Sequence, residues 1–319
     1  MNVYLIARKI LQGIILVILT IIIIFVVFRL MPGNPADLFL HSLGARATAA
    51  QKQALLASLG LSGGKWSFTG FVTYFKDMIT GNFGYDYYNG TSISAELAQA
   101  LPYTIVLIGT ATVLGWIIGI PLGITTTRLR NKKSETVILT SSLVLSSIPY
   151  FVLGIVLYLY LVAFSSFFPI SSGFKWNDPI TTILWDLSLP LMSLAIVGAT
   201  GHLITMRATM VSILGEDFIN TARAKGVPEK SILRKHAARN AMIPISTRMA
   251  LEFALVASGA LIVDVIFSYP GIGLELYNAT LSENYPLSEA ATFLFSLVTI
   301  FAYLIVDFIH AWLDPRVKV

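Results

Sequence analysis

Apolar residues fall in long solid blocks along this chain, and the charges gather in the short stretches between them. The clearest block is Ile10 to Leu30, ILQGIILVILTIIIIFVVFRL. It reaches the ~20 residues that a helix needs to cross a hydrocarbon core. Reading onward gives six such blocks, at about 10–31, 103–127, 137–164, 188–213, 245–268 and 290–312. Runs such as IIIIFVV do not alternate as barrel strands do, and backbone in lipid must satisfy its own hydrogen bonds. The pattern therefore predicts an all-α polytopic membrane protein with six transmembrane helices. Arg8 and Lys9 precede the first block as they would in a cleaved leader. Its apolar stretch is longer than a leader's and no Ala-x-Ala site follows, which favours a retained span.

Charge gives the direction. With the N-terminus inside, the inner segments hold Arg8 and Lys9, Arg128 to Lys133, the basic run from Arg207 to Arg248, and Arg316 and Lys318. The other side holds only Arg29, Arg46, Lys52, Lys65, Lys76 and Lys175. This positive-inside bias places both termini in the cytoplasm of a multi-pass cell-membrane protein. The first outer segment, about Met31 to Leu101, opens with MPGNP, whose prolines stop the first helix. Within it, Ala47 to Leu59 reads as a short helix, and Phe71 to Met78 as a second weak one before the turn-rich GNFGYDYYNG. Asn89-Gly-Thr91 and Asn278-Ala-Thr280 match the glycan-acceptor pattern and fall on the outer side.

Composition narrows the chemistry. The 319 residues are 55% hydrophobic and 12% charged, with no cysteine and four scattered histidines. That excludes disulfides, thiolate catalysis and cysteine-ligated metals, and it argues against a histidine metal site. No catalytic or metal-ligating set is predicted. A phosphate-cradling loop needs glycine, four residues, then Gly-Lys-Ser or Gly-Lys-Thr. The nearest string, Gly63-Gly64-Lys65-Trp66, lacks the hydroxyl and the first glycine. Any energy source lies in another chain or in an ion gradient.

One polar stretch stands out, Asp217 to Pro244, DFINTARAKGVPEKSILRKHAARNAMIP. Phe218, Ile219 and Ala222 share a face at helical spacing, Gly226 supplies a turn, and Pro228 suits the start of a second helix. From Glu229 onward Ile232, Leu233, His236 and Ala237 form one stripe, and Lys230, Arg234, Lys235 and Arg239 occupy the rest. Pro244 is expected to mark the start of the next span. Two short amphipathic helices at the inner surface can be a topology signal resting on anionic lipid, a nucleic-acid patch, or a docking element that seats its apolar face on a partner. Nucleic acid is the poorest fit for a short loop in a membrane protein, and spacing does not separate the other two.

The spans add two features. Glu252 lies inside the fifth block, where an ionisable residue marks a proton or substrate site in ion-coupled secondary transporters. The plainer expectation pairs it with Arg248 at i, i+4 spacing. Asp264 and Asp307 lie near span ends, and no inverted repeat of the secondary-transporter kind is evident. Gly115, Gly119 and Gly123 form a small-xxx-small series for close helix approach, within this subunit or against another. Pro121 and Pro149 are expected to kink the second and third spans.

Asn220-Thr-Ala-Arg-Ala-Lys-Gly226 with His236-Ala-Ala-Arg-Asn-Ala-Met-Ile-Pro244 resembles the coupling loop of permease subunits in ATP-binding-cassette importers, most closely the dipeptide and oligopeptide branch. Met31-Pro-Gly-Asn-Pro35, Asn82-Phe-Gly84, Leu101-Pro102, Ile120-Pro-Leu-Gly123, Asp264 to Gly273 and Leu313-Asp-Pro-Arg316 agree, in order, across nearly the whole chain. The general motif begins Glu-Ala-Ala, whereas this chain has Asn220 and Thr221 and keeps Ala222. Arg248 and Glu252 stand where the branch more often has uncharged residues. The resemblance implies a type I importer permease fold, with residues 1–94 as first span and outer segment and 95–312 as the permease domain carrying the loop at about 214–244. It implies half of a peptide pathway, with oligosaccharides and nickel as alternative cargoes of the same branch.

The implied partners are a homologous second permease, two ATPase subunits that hold the Mg-ATP, and a solute-binding protein outside. The implied ATPase-coupling residues are Glu216, Asp217, Thr221, Ala222, Arg223, Ala224, Lys225, Gly226, Glu229, Arg234, His236, Arg239, Asn240 and Pro244. Asp264, Tyr269, Pro270, Gly271 and Gly273 are implied near an external gate facing the binding protein, and Glu252 is a pathway candidate.

Overall fold

The computed structural model describes residues 3–30, 66–86, 88–165 and 167–313. Met31 to Lys65, with MPGNP and the expected helix at Ala47 to Leu59, lies outside the described residues. In chain order the helices are α1 (Val3–Leu30), α2 (Phe68–Thr80), α3 (Ile93–Arg128), α4 (Lys133–Ser147), α5 (Tyr150–Leu157) with a π-helical extension Tyr158–Phe164, and α6 (Ile180–Ile213). Then follow α7 (Asp217–Ala224), α8 (Glu229–Ser231) with a π-helical turn Ile232–Ala237, α9 (Ala238–Ile266), α10 (Ile272–Leu281) and α11 (Tyr285–Leu313). Among the described residues there is no β-strand, only the isolated bridge between Tyr85 and Ser92.

By length and composition α1, α3, α6 and α11 can each cross a membrane, and α4 with α5 makes a fifth if the pair is one span. The region expected at 245–268 falls in α9 up to Ile266, and the helix's 29 residues extend about 43 Å at 1.5 Å each. Among the described residues its continuous apolar stretch is Leu255–Ile266. Among the described residues, four or five of the six expected spans are thus met.

The expected straight span at 137–164 is broken. The two halves meet at 98° across Ile148 and Pro149. Pro149 has no N–H to extend α4, and the residue before a proline is pushed out of the helical region, as the φ −83°, ψ 124° of Ile148 records. Ser146 and Ser147 turn back and donate to the Leu143 carbonyl at 3.0 and 2.8 Å, closing the last turn. Pro121, by contrast, lies within the continuous helix α3.

The chain forms two compact units. One holds Ile105–Tyr269 with the two chain ends; the other holds Ile10–Thr104 and Pro270–Ile300. In the second, α2 buries Gly70, Tyr74 and Met78 on one stripe, and Ser67 caps its start by accepting the Gly70 amide at 3.3 Å. This stripe packs on Ile21, Ile24 and Phe25 of α1 and Phe293 of α11. In the first unit α3 and α6 approach closely. A Cβ on Gly123 would sit 2.6 Å from the Met206 Cβ and 2.8 Å from the Leu203 carbonyl oxygen. The glycine series thus serves packing within this subunit.

Candidate functional site

The segment after α6 begins with Glu216 in extended conformation, which starts α7. Asp217 in the first turn and Arg223 in the last complement the helix dipole. The helix ends in a Schellman turn: the Gly226 amide donates to the Arg223 carbonyl at 2.9 Å, and the Val227 amide to that of Ala222 at 3.2 Å. Gly226 takes φ +75°, the left-handed region that side chains resist. Pro228 precedes Glu229 as the capping residue of α8, one position earlier than expected. Arg223 then reaches across the turn, with Nη2 donating to Glu229 Oε1 at 3.1 Å and Nε to Oε2 at 3.4 Å. The Glu229 carboxylate holds the Arg223 guanidinium above its ordinary pKa. Both side chains are exposed, so this fork sets the angle between the helices more than it stabilises the fold.

The apolar face of this segment is already used. Ile219, Ala222, Ile232, Leu233, Ala237, Ala238, Ala241 and Ile245 bury together against Met206 and Met210 of α6. The pattern leaves lipid and a partner both open as the cover for that face; the structure commits it to the subunit itself. Phe218, expected on the same face, is instead 44% exposed. Asp217, Thr221, Arg223, Ala224, Lys225, Gly226, Glu229, Arg234, Arg239 and Asn240 are also exposed, and His236 is half-buried. Arg128, Arg130, Arg223 and Lys230 line a recess of about 360 Å³ beside Glu229. Pro244 does not begin the next span but lies inside α9. Burial of Ala241 and Ile245 on either side holds the helix across the missing amide.

A second cluster lies deeper. Trp116 of α3 donates its indole N–H to Glu252 Oε2 at 3.0 Å, and His202 of α6 brings Nε2 to the same oxygen. The expected partner, Arg248, forms no ion pair with Glu252 among the described residues. Two glycines of α6 explain the divergence. The Glu252 carboxylate lies against Gly198, and a Cβ on Gly201 would stand 2.6 Å from Arg248 Nη2. Each charged side chain therefore lies along α6 toward its own surroundings. Glu252 is 5% exposed, and its Oε1 has no hydrogen-bond partner among the described residues. Arg248 is exposed. Both line a cavity of about 330 Å³ with Ser146, Ser147, Ile148, Pro149 and Tyr150 of the α4–α5 break. Residue spacing does not point to Trp116 or His202; their signal in the sequence is a histidine and an indole within apolar spans.

Asp264 and Tyr269 are fully buried, as are Gly271 and Gly273, while Pro270 is half-buried. The Tyr269 amide donates to the Asp264 carbonyl at 2.8 Å, closing the end of α9, and its ring lies 6.1 Å from that of Phe174. Gly271 caps α10, whose Ile272 amide donates to Thr104 Oγ1 at 2.8 Å. The Tyr269 side chain is therefore packed inside its own unit and is not presented to a partner.

Residues 119–319 match the family described as the binding-protein-dependent transport system inner membrane component. The chain is 30% identical to a dipeptide transport system permease protein of Lactococcus lactis subsp. cremoris (strain MG1363), over 92% of both chains. It is 28% identical to an oligopeptide transport system permease protein of Bacillus subtilis (strain 168) over 100% of both. It is 30% identical to a glutathione transport system permease protein of Escherichia coli (strain K12) over 93% of both. With the helical fold and the segment braced at Gly226, the chain belongs to the inner-membrane permease family of binding-protein-dependent ATP-binding-cassette importers.

Proposed function

We propose that this chain forms half of the membrane pathway of an importer for short peptides, driven by ATP hydrolysis in separate subunits. The observation that carries the reading is its likeness, over nearly its whole length, to permeases named for dipeptide, oligopeptide and glutathione transport. A homologous second permease completes the pathway, two ATPases hold the Mg-ATP, and a solute-binding protein delivers cargo from outside. The chain sits in the cell's inner or cytoplasmic membrane with both termini inside. Residues 95–312 act as the permease domain, with 214–244 as its coupling segment.

The exposed side of that segment, Phe218 with Asp217, Thr221, Arg223, Lys225 and Glu229, meets the ATPase. Closure of the ATPase pair pushes on α7, and its buried face passes the force to Met206 and Met210 at the end of α6. Asp264, Tyr269, Pro270, Gly271 and Gly273 serve an external gate, and Glu252 lies on the pathway.

The test is co-expression followed by reconstitution. The chain is expected to co-purify with a second permease and ATPases, and the complex to take up labelled dialanine only with ATP and binding protein. Gly226→Pro is expected to abolish uptake while insertion persists, because proline fixes φ near −65° and this position requires +75°. Gradient-driven uptake by the purified chain alone would make it a secondary transporter and overturn the reading.

A further inference from the structure

Two membrane spans end at the recess beside the α7–α8 turn. Arg128 is the last residue of α3 and its first charge after Glu96, and Leu214 directly follows α6. Span ends lie at the level of the lipid headgroups, where the apolar run gives way to charge. The recess holds about 360 Å³ and is lined by four cations, Arg128, Arg130, Arg223 and Lys230, against one carboxylate, Glu229. That carboxylate is committed, because it accepts from Nε and Nη2 of Arg223. Arg128, Arg130 and Lys230 are exposed, and none of the three forms an ion pair with a described residue. A volume of this size is about 7 Å across, within the ~8 Å screening length at physiological salt, so these cations repel one another. An anion seated among them removes that repulsion and collects several charge-assisted hydrogen bonds.

The rest of the lining selects among anions. Leu214 and Leu233 bring apolar surface to the recess, and both pack in the core beneath α7 and α8. A bare hydrated ion gains nothing from such carbon, whereas the glycerol and ester carbons beside a lipid phosphate do. Arginine's planar fork matches phosphate oxygens, and basic pockets between span ends hold anionic headgroups in this way. We propose that the recess is a binding site for the phosphate of an anionic phospholipid. Arg128 and Arg130 contribute from the end of α3, and Lys230 from the α7–α8 side. The fork to Arg223 neutralises Glu229, which limits the repulsion that a free carboxylate exerts on the phosphate. Arg128, Arg130 and Lys230 lie outside the face proposed for the ATPase, so the lipid holds the segment through residues of its own.

The experiment uses the full-length chain, extracted in detergent from vesicles of equal phosphatidylglycerol and phosphatidylcholine. Native mass spectrometry reads the ratio of the two lipids that it retains. Arg128→Gln, Arg130→Gln and Lys230→Gln are each expected to lower that ratio about fivefold, the contribution of one cation near an anionic lipid. Lys132→Gln and Lys133→Gln, neighbouring exposed cations that do not line the recess, should leave it within about twofold. Glu229→Gln removes the one carboxylate and should raise the ratio, a gain that a misfolded variant does not give. Equal losses in the recess and control variants would mean diffuse attraction to charge and overturn the site, as would a ratio unchanged in all five. Excess inorganic phosphate is expected not to displace the lipid; displacement would make a soluble anion the ligand and overturn the lipid assignment. The assembled transporter should retain the same ratio as the chain alone. A loss there would give the recess to an acidic group of the ATPase and overturn the assignment as well.

Discussion

Replacing Ile219 by alanine tests whether the α7–α8 segment is anchored in its own subunit. Ile219 is fully buried among Ala222, Ile232, Leu233, Met206 and Met210. The substitution removes three carbons, about 2.4 kcal/mol at ~0.8 per buried carbon. A residual cavity brings the loss to about 3 kcal/mol. Local opening of α7 and α8 then becomes more than about 100-fold more populated, since ~1.4 kcal/mol is tenfold. Phe218 is the internal control, because it is 44% exposed and its truncation costs the isolated chain about 1 kcal/mol or less. The assay is limited trypsin digestion of the reconstituted chain, following cleavage after Arg223, Lys225 and Lys230. Where opening is fast relative to cleavage, the cut rate follows the open population. Ile219→Ala is expected to be cut about 100-fold faster than wild type, and Phe218→Ala within about tenfold of it. Equal cut rates for the two variants would refute the anchored arrangement.

Two further outcomes follow from other parts of the fold. Gly123→Ala forces a Cβ onto a Met206 side chain and a Leu203 carbonyl, and should lower stability by about 1–3 kcal/mol in a thermal melt of the solubilised chain. Gly109→Ala meets nothing within 4 Å and should raise it by up to about 1 kcal/mol; a matching loss in both would contradict the packing described. Burial, with Glu96 and Asp86 nearby, pushes the Glu275 carboxyl above its ordinary pKa. A carboxyl raised in the folded state stabilises below its unfolded pKa, and that gain fades as pH rises through the folded value. The melting temperature should therefore climb as pH falls from neutral toward the ordinary carboxylate range, and Glu275→Gln should flatten the climb.

Much of this arrangement is legible in the residues. Solid apolar blocks announce α1, α3, α6 and α11, because length and hydropathy alone decide them. The Gly226 turn is legible too, since glycine between two amphipathic stripes has few other uses. A helical stripe, however, tells that one face is covered and not by what. For Ile219 and Ala222 the stripe suggests lipid or a partner's groove, whereas the cover is Met206 and Met210 of the same chain. Glu252 shows the same limit: local spacing offered Arg248, but the groups that reach it, Trp116 and His202, are 136 and 50 residues away in sequence. Pro149 predicts only a kink where a right-angled break stands, because a proline reports a lost amide and leaves the turn angle to its neighbours. Pro244 misled in the opposite sense, since buried Ala241 and Ile245 carry the helix through it.

The burial of the α7–α8 face on Met206 and Met210 has a consequence for timing. Fixing a backbone residue costs about 1–2 kcal/mol, and here that ordering is completed when the subunit folds rather than at each encounter. On the coupling role proposed above, the receiving surface is preorganised, so an ATPase engages and releases it in every cycle without melting and refolding it. Affinity can then stay modest while the stroke stays stiff.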